Sequence, residues 1–534
     1  MPYKNPDPYG TGFLTFSAQE KIMESTIIKG KVCDRENICD CLTAGELDPC
    51  TIVIFGASGD LTARKLIPAL YRMFLSTSLP DPVSIVGCAR TDYDHDTFLD
   101  FLQESCGADT RIDMTRWPEF AARISYLPLR YDSLHDFLKL ATLLDSLDLQ
   151  RNTRGNRLFH LALPPSLYAS VATLIGQAGL AGEFENGRGW SRIVIEKPFG
   201  RDLDSALALD ATLHQHFHEQ QIFRIDHYLA KETVQNILTF RFANAIFEPI
   251  WNRAYIESVT ILAAENLGVE HRTGYYEQSG VLRDMFQNHM LQLLSLIAME
   301  PPSHFEAERV RDEKIKLFRS IRPLHADKAS VILGQYGPGT INGRQVPGYR
   351  QEQGVADQSL IPTFAMLPVH VDNWRWQGVP FYLISGKRMA RKETRIVIQF
   401  KDVPHSLFRD ILSANVIANR LVLGIYPQES ISLTFQTKNP GARMCMRSMT
   451  MDFKYDDAYP GPSPEAYEKV LLDCILGDHM LFWRQDGIEQ SWFLLTPLLN
   501  ECETCQGRAQ RLHSYAAGSW GPEAARIIIE KVLT

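Results

Sequence analysis

Residues 224–232 read Arg-Ile-Asp-His-Tyr-Leu-Ala-Lys-Glu, and Arg224, Asp226, His227, Tyr228, Lys231 and Glu232 are all polar or ionisable. Such a density of groups cannot be buried without partners, because an unpaired charge in a core is expensive. An ion-paired turn would use Arg224, Asp226, Lys231 and Glu232, and would leave His227 and Tyr228 without a task. A charged ligand would occupy all of them. A second concentration is Arg283-Asp284-Met-Phe-Gln-Asn-His289, inside a run where Met285, Phe286, Leu293 and Leu294 form an apolar stripe at helical spacing. His289 is four residues from both Met285 and Leu293, so it projects from the buried stripe. A histidine there is either a satisfied core residue or a general base held near neutrality by burial and a carboxylate. The third is Glu196-Lys197-Pro198-Phe-Gly200. Proline cannot continue a ladder, so this is a strand-ending turn, or a rigid arm that holds the Lys197 ammonium over a cleft.

The fourth stretch is Gly56-Ala57-Ser58-Gly59-Asp60-Leu61-Thr62. It lies between a short β-branched run, Thr51–Phe55, and a helical pattern, Ala63–Phe74, with Leu66, Ile67, Leu70 and Met73 on one face. Strand, glycine-rich turn and helix in that order place backbone N–H groups at a helix N-terminus, where a dinucleotide pyrophosphate binds. Val83–Cys88 makes a second strand that runs into Arg90. An acid near that point bonds the ribose hydroxyls of NAD, whereas a guanidinium suits the 2′-phosphate of NADP. NADP is therefore favoured, with NAD as the weaker alternative.

These groups need elements to hold them. Strand patterns at 158–163 and 192–196 flank a helical run at 167–179, and alternating strands and helices predict a doubly wound parallel sheet. Beyond about residue 227, alternating runs at 258–262, 381–384 and 395–400 predict a larger, mainly antiparallel sheet. Residues 280–300 read as the longest amphipathic helix. The expected fold class is α/β plus α+β: a Rossmann-like doubly wound domain at 49–226 and a larger α+β domain at 227–534, to which the family resemblance given below adds substrate-binding and oligomerisation roles. Residues 1–48 form an N-terminal extension closed by Asp48-Pro49.

With 55 basic and 63 acidic residues the net charge is -8, which argues against a nucleic-acid partner. It also means that an anionic substrate needs a locally basic pocket. The first 50 residues show no basic start followed by an apolar core, and no run is long and apolar enough to predict a membrane span. A cytoplasmic location is expected. Ten cysteines in 534 residues read as reduced thiols. Neither Cys33, Cys39, Cys41 and Cys50 nor the lone Cys502-Glu-Thr-Cys505 predicts a metal site.

The Gly56–Leu61 turn, Glu196–Gly200, Arg224–Glu232 and the stretch from Glu265 through Arg283–His289 occur in one order along residues 51–525. In that order and wording they closely resemble the glucose-6-phosphate dehydrogenase family. The resemblance implies oxidation of D-glucose 6-phosphate at C1 to the 6-phospho lactone, the first step of the oxidative pentose phosphate pathway, with hydride transfer to NADP. It implies His289 as general base, with Asp226 orienting it. His227, Tyr228 and Lys231 would bind the 6-phosphate, and Lys197 would reach both substrate and coenzyme. Glu265 and Asp284 would accept from sugar hydroxyls. In a looser match, Gly386–Lys392 adds Lys387 and Lys392 as substrate contacts. Gly56, Ala57, Ser58, Gly59, Asp60, Leu61, Arg90 and Lys197 would form the coenzyme site. A homodimer or homotetramer is also implied. Alternatives are another hexose 6-phosphate or free glucose oxidised with NAD, and a catalytically silent dinucleotide sensor. Two positions depart from the family pattern. Ala230 replaces a usual glycine and would strain a backbone needing positive φ, shifting Lys231. Thr62 replaces a common alanine; its bulk could alter closeness to the pyrophosphate, or its hydroxyl could bond it.

Overall fold

Six runs rich in Val, Ile, Leu and Phe form one parallel sheet: β1 (Cys50–Phe55), β2 (Val83–Ala89), β3 (Ile124–Pro128), β4 (Arg157–Leu161), β5 (Ser191–Ile195) and β6 (Ile222–Arg224). Their spatial order is β3-β2-β1-β4-β5-β6, every pair parallel. All residues of β1, β2 and β4 are buried, which is why these strands read as continuous apolar runs rather than alternating ones. The order reverses between β1 and β4, and a doubly wound sheet binds its ligand outside the carboxyl ends at that point. The computed structural model describes residues 47–533 apart from 184–188, 326–329, 409–415, 442–445, 459–463 and 505–506. Cys33, Cys39, Cys41 and Cys505 lie outside the described residues, as does nearly all of the N-terminal extension.

The second sheet has nine strands: β7 (Ile256–Ala264), β8 (Ile332–Gly337), β11 (Phe364–His370), β12 (Pro380–Gly386), β13 (Glu393–Phe400), β14 (Arg420–Tyr426), β15 (Ser430–Lys438), β16 (Met446–Lys454) and β17 (Leu512–Ala516). A small hairpin, β9 (Gly339–Ile341) with β10 (Arg344–Val346), stands apart. The order β16-β15-β14-β13-β7-β12-β11-β8-β17 is antiparallel except at β7–β12 and β8–β17. One face packs the buried helices. The other packs a smaller core of Leu262, Met366, Ile384, Val397 and Ile529. Among the described residues no helix is long and apolar enough to cross a membrane.

The 280–300 segment differs from its expected form. Gly280 breaks the winding with φ +58, residues Leu282–Met290 are wound as a π-helix, and an α-helix follows over Leu291–Ala298. Nearly every residue from Val281 to Ala298 is buried, so the run is not amphipathic, and Gln485–Thr504 is the longer helix at 20 residues. The apolar stripe was legible, but the polar face it was set against is buried too. Its Asp284, Gln287, Asn288 and His289 find partners inside the protein rather than in water.

The C-terminal half returns to the first sheet. Arg192 on β5 donates to the carbonyls of Cys474 and Ile475, which end the helix Ala466–Leu476. The Trp492 indole donates to the Phe199 carbonyl at 2.8 Å, and Leu203 N–H donates to Thr496 Oγ1 at 3.0 Å. The turn that carries Lys197 is thereby held by residues almost three hundred positions away.

Candidate active site

The glycine-rich turn leaves β1 at its carboxyl end. Gly56 has φ +86, and a Cβ there would fall 2.1 Å from the Ala162 carbonyl oxygen, so no other residue fits. Its N–H is fixed by the Cys88 carbonyl at 2.9 Å and the Tyr131 hydroxyl at 3.0 Å. Gly59 N–H closes the turn on Gly56 O at 2.9 Å, and the helix begins. The N–H groups of a first turn have no intrahelical acceptor and carry the positive end of the helix dipole. An anion such as a pyrophosphate suits such a first turn, while Gly56 itself is demanded by the Ala162 carbonyl packed against it. Thr62 does not turn its hydroxyl outward: Oγ1 donates to Gly56 O at 3.0 Å and braces the turn from inside. Arg90 is exposed just past β2, 5.9 Å above the Tyr131 ring, and Ser58 Oγ meets Thr91 Oγ1 at 2.9 Å.

The carboxyl ends of β5 and β6 carry Lys197 and Asp226. His289 Nδ1 lies 2.5 Å from Asp226 Oδ1, and neither side chain is exposed. Asp226 Oδ1 also accepts the Tyr228 N–H at 3.0 Å, which sets the turn. Lys197 Nζ stands 3.0 Å from His289 Nε2. An ammonium has only hydrogens to give, so Nε2 is the acceptor and the ring proton is on Nδ1, donated to Asp226. The imidazole is therefore neutral, with its lone pair directed into the cleft. Burial pushes His289 down, the Asp226 charge pulls it back up, and the net shift is below an ordinary histidine. The Tyr228 ring stacks on His289 at 4.2 Å, and His227 meets it edge-on at 4.6 Å.

The π winding has a local consequence. At 3.6 residues per turn, positions five apart point roughly 140° away from each other. A π-helix bonds residue i to i+5 and narrows that gap, so Asp284 and His289 both reach the same ammonium. Lys197 Nζ is 3.3 Å from Asp284 Oδ1 and from the Asp284 carbonyl. Burial alone would push Lys197 down, but Asp284 and Tyr275 outweigh it and raise it. Burial likewise raises Asp284, and Lys197 with Lys387 more than reverses that, leaving the carboxyl well below its usual range. Lys387 Nζ is 2.5 Å from Glu265 Oε2 and 3.7 Å from Asp284 Oδ2.

At the other end lies a second group of cations. Lys231, the N-cap of the helix Glu232–Phe242, places Nζ 4.5 Å over the Tyr228 ring and 5.9 Å from the Tyr426 ring. Lys392 Nζ stands 4.4 Å from the same Tyr426 ring. Burial, and then repulsion from Lys392, bring Lys231 down to about 8. Burial drives His227 well below its ordinary value, with His289 and Lys197 adding to the effect. Ala230 is buried and takes a negative φ, so no strain arises there and Lys231 keeps its place. Arg224 belongs to none of this: it pairs with Asp210 at 2.7 Å and Glu219 at 2.8 Å behind the cleft.

The structure thus gathers Lys197, Asp226, His227, Tyr228, Glu265, Asp284, His289 and Lys387 around one point, with Lys231 and Lys392 beyond Tyr228. Gly56–Leu61 and Arg90 lie at the carboxyl ends of β1 and β2. Three tyrosines were missed. Tyr131 holds the Gly56 N–H, Tyr275 hydroxyl is 3.3 Å from Asp284 Oδ1, and Tyr426 faces two lysines. A tyrosine's place in the sequence carries no signal of such distant contacts; only Tyr275, nine residues before Asp284, was close enough to suspect.

Residues 53–236 match the family model described as the glucose-6-phosphate dehydrogenase NAD binding domain, and residues 238–533 match that of its C-terminal domain. The chain belongs to the glucose-6-phosphate dehydrogenase family. Within that family it is 43% identical over 484 residues to glucose-6-phosphate 1-dehydrogenase of Aggregatibacter actinomycetemcomitans, covering 90% of this chain and 96% of the relative. It is 43% identical over 493 residues to the Treponema pallidum protein of the same name, covering 91% and 95%. A solved glucose-6-phosphate dehydrogenase in complex with its substrate glucose-6-phosphate superposes with a TM-score of 0.84 at 35% identity, covering 91% of this chain and 98% of that one. The Mycobacterium avium glucose-6-phosphate 1-dehydrogenase structure gives 0.77 at 32% identity, covering 90% and 97%. The enzyme is an oxidoreductase of the glucose-6-phosphate dehydrogenase family with a nicotinamide-binding Rossmann-like domain.

Proposed function

We propose that the chain oxidises D-glucose 6-phosphate at C1 to 6-phospho-D-glucono-1,5-lactone with NADP, and that His289 is the general base. The observation that carries this reading is the neutral, fully buried His289, with Nδ1–H on Asp226 and the Nε2 lone pair turned to the Lys197 ammonium. A bound nicotinamide supplies the hydride acceptor. Nε2 takes the proton of the C1 hydroxyl, and Asp226 stabilises the imidazolium as it forms. Lys197 now holds Nε2, so the substrate hydroxyl must displace it, and the freed ammonium is then available to substrate and coenzyme. Glu265 and Asp284, whose charges are shared with Lys387 and Lys197, are placed to accept from the sugar hydroxyls.

A sugar phosphate brings a charge of about -1.5 to -2 at neutral pH. Lys231 and Lys392, with His227 and Tyr228 beside them, are the groups we assign to it. The repulsion between the two lysines is relieved when the phosphate enters, which favours a phosphorylated substrate over free glucose. Exposed Arg90 is assigned to the 2′-phosphate of NADP, with NAD used less well. A cytoplasmic location and a homodimer or homotetramer complete the proposal.

The test is stoichiometric. Purified protein given glucose 6-phosphate and NADP should form one reduced nicotinamide per sugar, with 6-phosphogluconate after the lactone opens. Tight NADP binding without turnover would instead favour a silent sensor.

A further inference from the structure

β7 and β12 run side by side and parallel, with Ala264 opposite Gly386, so the turns that leave them bring Glu265 and Lys387 together. Three backbone bonds lace the two turns: Glu265 N–H to Gly386 O at 2.9 Å, Arg388 N–H to Leu267 O at 3.1 Å and Met389 N–H to Glu265 O at 2.8 Å. The lacing requires an unusual backbone. Arg388 has φ +51, in the left-handed region that a residue with a Cβ disfavours. Its guanidinium anchors it there: Nη2 lies 3.1 Å from Glu352 Oε1, and the two side chains are only 13% and 10% exposed. Glu352 is itself fixed, because the same oxygen accepts the Tyr336 hydroxyl of β8 at 3.0 Å. The pair also supports the turn that follows β7. A Cβ on Gly268 would fall 2.6 Å from both Arg388 Nε and Glu352 Oε1, so the backbone after Glu265 rests directly on the two side chains. Two more bonds hold the Lys387 turn from the C-terminal segment. The Tyr515 hydroxyl donates to Lys387 O at 2.7 Å, and Gly518 N–H donates to Arg388 O at 2.8 Å.

A buried ion pair is a poor device for stability, since an apolar pair of like volume serves as well. Its use here is geometric. We propose that Arg388 and Glu352 are positioning residues for sugar binding: their ion pair pins the left-handed residue beside Lys387 and, through the laced turns, fixes Lys387 Nζ on Glu265 at 2.5 Å. The inference rests on the reading of Glu265 and Lys387 as sugar contacts. Without the pair, residue 388 relaxes toward negative φ, its bond to Leu267 O is lost, and the Lys387 ammonium and Glu265 carboxylate sample several separations instead of one. Sugar binding must then restore their order. That weakens the ground state and the transition state alike and leaves the proton transfer at His289 as it was.

The readout is the split between KM and kcat in the intact enzyme with glucose 6-phosphate and NADP. Arg388→Met and Glu352→Gln should each raise KM for glucose 6-phosphate by roughly five- to tenfold, with kcat and the coenzyme KM within about twofold of wild type. Arg388→Lys should keep a near wild-type KM, because one nitrogen makes the contact and an ammonium can replace it. In a Lys387→Ala background, Glu352→Gln should add less than about twofold, since the group that it positions is gone. An unchanged KM in Arg388→Met and Glu352→Gln overturns the inference. So does a parallel rise in the coenzyme KM, an undiminished effect in the Lys387→Ala background, or failure of both variants to fold, each of which would make the pair an element of the fold alone. Arg388→Lys as impaired as Arg388→Met would overturn it too, by showing that the charge is not what acts. If Lys387→Ala itself keeps the wild-type KM, the reading of Lys387 as a sugar contact fails. If Lys387→Ala raises KM and the pair variants do not, that reading stands and this inference alone falls.

Discussion

The two phosphate sites proposed for the cleft differ in the donors they offer. At the glycine-rich turn the proposed donors are the backbone N–H groups of the helix's first turn, and the geometry is fixed by a glycine that no side chain can replace. At the far end the donors are side chains: Lys231 from the β6–helix turn and Lys392 beside β13, with Tyr426 of β14 between them. Backbone donors do not titrate. Lys231 does, because burial and its lysine neighbour hold it at about 8. One end is therefore sensitive to chain geometry and indifferent to pH, and the other is the reverse. Between them sits His289, which belongs to neither.

The largest expected effect is at that midpoint. His289→Asn should lower kcat by about 10²–10⁴ with little change in either KM, the usual scale for a general base. A near-normal kcat would remove His289 from the chemistry. Next, Lys231→Ala should raise KM for glucose 6-phosphate by roughly 10- to 150-fold, the equivalent of about 1.5–3 kcal/mol for charge-assisted bonds. Free glucose should be unaffected, and an equal rise for both sugars would show that Lys231 does not read the phosphate. At the nucleotide end, Gly56→Ala forces a side chain into a left-handed backbone and should raise the coenzyme KM by about tenfold or more. An unchanged coenzyme KM with a folded protein would mean that the turn is not the pyrophosphate cradle. The smallest effect is the pH response. Lys231 is cationic below about 8 and loses its charge as pH rises through that value. KM for glucose 6-phosphate should thus climb a few-fold between neutrality and one pH unit above that point. KM for the coenzyme should stay flat, and parallel rises would erase the contrast between the two ends.

The same contrast explains what was legible in the sequence. The Gly56–Leu61 turn lies on contiguous residues and its information is in the glycines, so strand, turn and helix could be read locally. Asp226 and His289 were legible as types, but their 2.5 Å contact across 63 residues was implied by family resemblance, not by spacing. The π winding of Leu282–Met290 was invisible, because the apolar stripe is the same for either helix and buried polar partners from distant segments decide it. Tyr426 reaches the lysines from β14, almost two hundred residues after Lys231, and nothing local marks it. Ala230 and Thr62 drew attention as departures from a pattern. Their neighbours decided otherwise: one needs no positive φ, and the other spends its hydroxyl on Gly56 O.

The most direct test of a cleft that reads a phosphate at each end is a matrix of kcat/KM for glucose 6-phosphate and glucose against NADP and NAD. The account predicts the highest value for glucose 6-phosphate with NADP, a loss when either phosphate is removed, and a larger combined loss when both are absent. Equal values for glucose and glucose 6-phosphate would contradict it.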